Sequence, residues 1–149
     1  MRAVVQRVKY AKVEVDGAAI GEIGRGLLIF IGIETTDTQK DTDYIVDKCA
    51  GLRVFDDETG VMNKSVVDAG GAMLVVSQFT IMGDVRHGRR PSYIAAAPPD
   101  AAAGMFEDVL AAFRTTGVQI ETGKFGADMK VSLLNDGPVT ILLDSKKLF

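Results

Sequence analysis

Apolar and polar positions alternate with a period of two along residues 3–15, most cleanly in Lys12-Val13-Glu14-Val15-Asp16, and many of these residues are β-branched. This is the pattern of a strand with one buried face. Asp16-Gly17 follows as a hairpin signal, and Ile20 to Ile23 reads as the short return strand. After a second turn at Gly24-Arg25-Gly26, the run Leu27-Leu28-Ile29-Phe30-Ile31 is apolar at every position. A strand with no polar face needs packing on both sides of its sheet. Thr38 to Arg53 reads as a helix. Thr36, Asp37 and Thr38 offer N-caps, and Ile45, Cys49 and Leu52 fall on one face. Asp56-Asp57-Glu58-Thr59-Gly60 is a turn, and Ala72-Met73-Leu74-Val75-Val76 is a second fully apolar strand.

Pro98-Pro99-Asp100 opens a second helix. Met105, Phe106, Val109, Leu110 and Phe113 line one side of it, and Gly117 lies beyond its end. Three further strands are predicted at Val118–Glu121, Met129–Leu134 and Val139–Leu143. The order is strand-rich with two main helices. It lacks the regular alternation of a doubly wound parallel sheet, so the expected class is α/β of the α+β kind, with layered β-sheets in one domain spanning 1–149.

Composition narrows the chemistry. The chain has 149 residues, 47% hydrophobic and 25% charged, which is ordinary for a globular protein. Its longest apolar stretch, Gly26 to Ile33, is far short of the roughly 20 residues of a membrane-spanning helix. The first residues turn polar too soon for a secretory signal, so a cytoplasmic protein without membrane association is expected. A single cysteine, Cys49, excludes an internal disulfide. One histidine, His87, excludes a multi-histidine metal site within a chain, and no metal or cofactor is expected. Gly21, Gly24 and Gly26 do not form a G-x-G-x-x-G at a strand-to-helix junction, so a dinucleotide site is rejected there. The formal net charge is −3, so any contact with a polyanion must come from a local patch.

Four segments carry candidate chemistry. The second apolar strand ends in Ser77-Gln78-Phe79-Thr80, where polar groups at a buried strand's end either meet a ligand or bond the nearby backbone. Asp84 to Ser92 holds three arginines and a histidine within five residues, Arg86-His87-Gly88-Arg89-Arg90. It suits phosphate, whose oxygens match the guanidinium fork, or else it is a solvated loop. Ser77, His87 and Asp84 invite assembly as a hydrolytic triad, but no G-x-S-x-G elbow is present. Thr122-Gly123-Lys124-Phe125-Gly126-Ala127-Asp128-Met129 offers Phe125 and Met129 as a slot for a flat base, or as a plug closing the core, with Phe125 reading as exposed. Asn135-Asp136-Gly137-Pro138 is a turn between two strands, or a rigid backbone tip with no side chain on the glycine. Cys49, on an apolar helix face, reads as a buried structural thiol.

Taken together, Ser77-Gln78-Phe79-Thr80, Arg89-Arg90-Pro91-Ser92, Thr122 to Met129 and Asn135-Asp136-Gly137-Pro138-Val139-Thr140 resemble the signatures of the D-aminoacyl-tRNA deacylases. Val5-Gln6-Arg7-Val8 and Gly24 to Leu28 add to the resemblance, which runs from residue 1 to about 144. It implies a homodimer with active sites at the subunit interface. It also implies hydrolysis of the ester linking a D-amino acid, or mischarged glycine, to the 3′-terminal adenosine of tRNA, as chiral proofreading in translation. Ser77, Gln78, Phe79 and Thr80 would line the scissile ester. Gly137-Pro138 would be a cis dipeptide inserted into the partner's site to exclude L-amino acids, held by Arg7. Phe125 and Met129 would lie by the adenosine, and Arg89 and Arg90 would contact tRNA. The resemblance further implies that the substrate's 2′-hydroxyl assists water while backbone N–H groups near Phe79 polarise the carbonyl. A reading with Thr80 as nucleophile lacks an obvious base. Ile81, His87 and Tyr93 depart from the commoner leucine, lysine and phenylalanine, and residues 145–149 have no assigned role. Two other readings stand beside this one: a non-catalytic module that binds RNA 3′ ends, and a small-ester hydrolase using Ser77 and His87.

Overall fold

The alternation near the N-terminus produces one long strand, β1 (Arg2–Val15), around which the rest of the sheet is built. The computed structural model describes residues 1–149. Asp16 and Gly17 both take positive φ, 51° and 80°, the backbone of a tight hairpin turn. They return the chain into β2 (Ala18–Ile23), which pairs with the far half of β1, Val15↔Ala18 to Ala11↔Ile23. β3 (Gly26–Gly32) takes the near half of the same edge, Val8↔Gly26 to Arg2↔Gly32. The opposite edge of β1 is covered by β8 (Lys130–Asp144).

Between β3 and β8 the chain makes two crossovers. Helix α1 (Gln39–Gly51) starts at Thr38, one of the three predicted caps, whose N–H and hydroxyl both donate to the Asp41 carboxylate at 2.8 and 3.1 Å. It ends at Gly51, two residues before the predicted end. The predicted turn at Asp56–Gly60 lies in a small hairpin of β4 (Phe55–Asp56) and β5 (Met62–Lys64). β6 (Ala72–Ser77) then pairs parallel to β3, and a 3-10 turn over Phe79–Met82 follows it. Helix α2 (Pro99–Arg114) leads to β7 (Gln119–Thr122), parallel to β6. The sheet order β2-β1-β3-β6-β7 thus mixes antiparallel outer strands with a parallel trio. That trio is what the two fully apolar runs require, because each is buried on both faces.

One face of the sheet packs under the helices. Val5, Leu27, Ile29, Met73 and Val75 meet Ile45 and Cys49 of α1 and Phe106, Val109 and Phe113 of α2. The other face closes on itself around Val8, Val13, Ile23, Leu28, Leu74 and Val76. The sheet curls until β2 meets β7: a Cβ on Gly21 would lie 2.6 Å from the Thr122 carbonyl oxygen. The result is barrel-like. Phe106 and Phe113 are fully buried, and truncating either to alanine costs about 3–5 kcal/mol.

The last two predicted strands are one. Val131 to Leu134 and Thr140 to Asp144 both pair antiparallel with β1 and run in the same direction. Asn135 to Pro138 therefore does not reverse the chain. Between Val8↔Asn135 and Gln6↔Thr140, β8 takes five steps while β1 takes two. The surplus residues are expelled from the ladder as a bulge, as such insertions are. Turn-forming residues signal a break in extended structure, and a bulge breaks it as well as a reversal does.

Candidate functional site

Parallel strands leave a crevice at their carboxyl ends, where the chain departs for the next crossover. Here that crevice is a mostly apolar cavity of about 590 Å³. Ile31 and Ile33 come from the end of β3, Val76, Ser77 and Gln78 from the end of β6, and Phe125 to Met129 from the loop after β7. Three of the four predicted segment-77–80 residues, Ser77, Gln78 and Phe79, thus share one cavity with Phe125 and Met129. Phe125 is half-buried rather than exposed. Its ring lies 5.9 Å from that of Phe106, tilted 42°, so it both closes the core and walls the cavity. Phe79 is 58% exposed and packs edge-on against Tyr93, with centroids 5.1 Å apart.

The exit of β6 leaves two backbone donors free. The Gln78 N–H donates to the Ile31 carbonyl at 2.7 Å, and the Ile81 N–H donates back to the Gln78 carbonyl at 3.4 Å. Phe79 and Thr80 stand first in the 3-10 turn, where N–H groups have no acceptor inside the turn. Neither donates to any other group of the chain. The Gln78 side-chain amide donates to the Thr80 hydroxyl oxygen. No hydrogen bond joins that hydroxyl to a carboxylate or an imidazole, so nothing in the chain stands ready to take its proton. Thr80 itself is exposed and does not line the cavity.

Arg7, Gly137 and Pro138 form a separate cluster. The bulge places Asp136 to Val139 opposite Arg7 alone, and the Gly137-Pro138 peptide bond is cis. Arg7 is buried in β1. Its Nε donates to the Asp136 carbonyl at 3.1 Å and its Nη1 to the Val54 carbonyl at 2.6 Å. The carboxylates of Asp56 and Asp136 lie 3.4 and 3.5 Å from the guanidinium. Gly137 has φ +122°, and a Cβ there would stand 2.8 Å from Val139 Cγ2 and 3.0 Å from Arg7 Nη2. Both glycine's backbone freedom and its lack of a side chain are therefore required. Gly137 and Pro138 are exposed and belong to no wall of their own chain's cavity.

The basic segment is a closed loop. Asp84 and Ser92 exchange backbone hydrogen bonds at 2.8 Å in both directions, so Val85 to Pro91 form an exposed tip. Arg86 pairs with Asp84 through Nε and Nη2, and this guanidinium contact holds the Asp84 carboxyl well below its ordinary range. His87 and Arg90 line a second surface recess with Asp84 and Ser92, whereas Ser77 lines the apolar cavity. The triad Ser77, His87 and Asp84 is thus not assembled: the carboxylate is taken by Arg86, and no hydrogen bond links His87 to either partner. Cys49 is buried, and the loss of water around it pushes its thiol up to about 12, which leaves it inert at neutral pH. No three His, Cys, Asp or Glu side chains converge to hold a metal ion.

Several site residues carry no signal in the sequence. Tyr93, Ala96, Pro98 and Ala102 wall the cavity. The small residues at 95–97 and the prolines read only as the approach to a helix, although a run of short side chains is what leaves space beside a strand's end. Val54 and Asp56, which fix Arg7, lie 47 and 49 residues from it in sequence.

With this geometry in hand, the comparisons are informative. The family model described as D-Tyr-tRNA(Tyr) deacylase matches residues 4–144. A protein of Thermosipho africanus named D-aminoacyl-tRNA deacylase is 54% identical, with both chains covered completely. A solved structure described as c-Myc DNA Unwinding Element Binding Protein superposes with a TM-score of 0.92 at 45% identity, covering 97% of this chain and 98% of that one. Another, described as a probable eukaryotic D-amino acid tRNA deacylase, gives 0.81 at 16% identity over 95% and 97%, and at that distance it shows a shared fold.

Proposed function

This chain belongs to the D-Tyr-tRNA(Tyr) deacylase family, and from that premise we propose that it hydrolyses the ester between a D-amino acid and the terminal adenosine of tRNA, releasing free tRNA. The observation that carries this reading is the pair of unpaired N–H groups, of Phe79 and Thr80, beside an apolar cavity with room for a nucleoside. Adenosine enters between Phe125, Met129 and the end of β6. The carbonyl of the ester accepts from the free N–H groups. Water, assisted by the substrate's own 2′-hydroxyl, adds to the carbonyl carbon. The negative charge that develops on oxygen is met by donors already in place, which is the largest single contribution in many acyl transfers. The intermediate then expels the 3′-oxygen of the ribose, which takes a proton. An aminoacyl ester is activated enough for positioning and oxyanion stabilisation to suffice without an imidazole or a thiolate.

Selectivity follows from exclusion. A second copy of the chain completes the site by placing its Gly137-Pro138 across the cavity's mouth. This reading is supported by the dipeptide's exposure and its absence from its own chain's cavity. A backbone wall blocks an L side chain and ignores the identity of a D one. Glycine has no side chain of either hand, so mischarged glycyl-tRNA passes the same filter, and the role is proofreading in translation. Arg89 and Arg90 on the exposed loop contact tRNA phosphates. No helix is long and apolar enough to cross a membrane, and we place the protein in the cytoplasm with its substrate.

The test is incubation of the purified protein with D-tyrosyl- and L-tyrosyl-tRNA, and with D-tyrosyl-tRNA ending in 2′-deoxyadenosine. Release of D-tyrosine alone, slowed strongly on the deoxy substrate, is the expected result. Equal turnover of both hands would defeat the exclusion reading, and undiminished hydrolysis of the deoxy substrate would point to Thr80 as nucleophile. The second reading, a nucleic-acid-binding module without turnover, draws on the description of the 45% identical neighbour as a DNA-element-binding protein, and it requires that neither ester be cleaved.

A further inference from the structure

Arg7 restrains only one side of the bulge. It takes the Asp136 carbonyl, which precedes Gly137-Pro138. The other side, Val139, is held by a residue that no part of the reaction scheme uses. The Asn135 Oδ1 accepts the Val139 backbone N–H at 3.1 Å, so a single side chain bridges the base of the four-residue excursion. The orientation of that amide is fixed at its other end. Its Nδ2 donates to the Thr140 hydroxyl at 3.1 Å, and the Gln6 Nε2 from β1 donates to the same hydroxyl at 3.2 Å. Asn135 sits in the ladder opposite Val8 and Thr140 opposite Gln6, so both ends of this latch are tied to β1, the strand that also carries Arg7.

We propose that Asn135 is a positioning residue for chiral discrimination: it latches Val139 so that, with Arg7 on Asp136, the Gly137-Pro138 dipeptide presents a wall that does not yield. The chemistry of the site favours an amide here. The Val139 N–H needs an acceptor because the bulge has removed it from the ladder, and an unpaired N–H would let the loop swing toward water. A residue with no acceptor leaves the Asp136–Val139 segment restrained at one end only. Discrimination suffers first, because excluding an L side chain depends on the wall holding its place under load, whereas cleaving a D substrate does not.

The inference rests on the deacylase reading above, and the experiment separates the two. Wild-type protein, Asn135→Leu and Asn135→Asp are compared on D-tyrosyl- and L-tyrosyl-tRNA, with thermal unfolding measured for each. If the wild type cleaves neither ester, or both equally, the failure belongs to the deacylase or exclusion reading. Given a D-selective wild type, Asn135→Leu lowers the D/L ratio of kcat/KM by about tenfold, the size of one lost hydrogen bond, through faster L turnover. Asn135→Asp keeps the acceptor for Val139, and the Thr140 hydroxyl turns to donate to it, so its ratio stays within about twofold of wild type. An unchanged ratio in Asn135→Leu, or an equal loss in Asn135→Asp, overturns the proposal. Should Asn135→Leu fail to fold, Thr140→Val frees the amide while leaving Asn135 in place. It lowers the ratio by about threefold, and no change there counts equally against the latch.

Discussion

Replacing Arg7 with lysine tests the clamp on the dipeptide while keeping the charge. The guanidinium reaches two carbonyls that face it from different segments, Val54 at 2.6 Å and Asp136 at 3.1 Å. A lysine ammonium is one point and meets only one of them. The substitution therefore removes one charge-assisted hydrogen bond of about 1.5–3 kcal/mol. The larger figure of about 3–5 kcal/mol for breaking a buried ion pair does not apply. The charge is retained, and the Asp56 and Asp136 carboxylates are 51% and 29% exposed and regain water. For a domain of this size each kcal/mol moves Tm by about 2–4 °C, so Arg7→Lys lowers Tm by roughly 3–12 °C. Because the lost contact holds the wall, hydrolysis of L-tyrosyl-tRNA rises relative to D-tyrosyl-tRNA, and a shift of about 1 Å is worth up to about a hundredfold. The measurements are thermal unfolding and paired hydrolysis of the two esters. An unchanged Tm refutes the clamp. A lowered Tm with intact selectivity refutes the dipeptide as the wall.

Three more outcomes are expected. His87→Ala retains deacylation, since its imidazole touches neither Ser77 nor the cavity; a fall of about 10²–10⁴, the range of a lost general base, would restore the triad. Replacing Arg89 and Arg90 together with alanine weakens tRNA binding and reduces the slope of log K against log salt by about one per lost phosphate contact, read from binding isotherms across salt; an unchanged slope makes the loop plain solvated surface. Burial alone would raise the Asp41 carboxyl, but hydrogen bonds from Ser145 and from the Thr38 backbone and hydroxyl outweigh it and hold it below its ordinary 3.8. Because the folded value is depressed, this contribution to stability is present above pH 3.8 and fades as pH falls through the folded value. The Tm gap between wild type and Asp41→Asn should shrink in acid, and a gap that widened would contradict the assignment.

The elements of this protein are legible in its sequence where burial and periodicity speak together. β1, the hairpin at Asp16-Gly17, the two fully apolar strands and both helices lie within a few residues of where the pattern puts them, because each pattern is dictated by one local geometry and one buried face. The segments that line the cavity are legible too, since polar side chains at the end of a buried strand have few other uses. What the tertiary structure decided is pairing. A run of apolar residues does not say which strand lies beside it, so the parallel trio of β3, β6 and β7, and the crevice at its carboxyl ends, emerge only on folding. Asn135-Asp136-Gly137-Pro138 announces a break in the chain's path, and only pairing on both sides with β1 turns that break into a bulge held by Arg7 and Asn135. The side chains and carbonyls that fix the bulge come from Arg7, Val54 and Asn135, and they interact by proximity across as many as 129 residues. Short-range pattern holds no record of such contacts, because their energy depends on distance in space and not on separation along the chain.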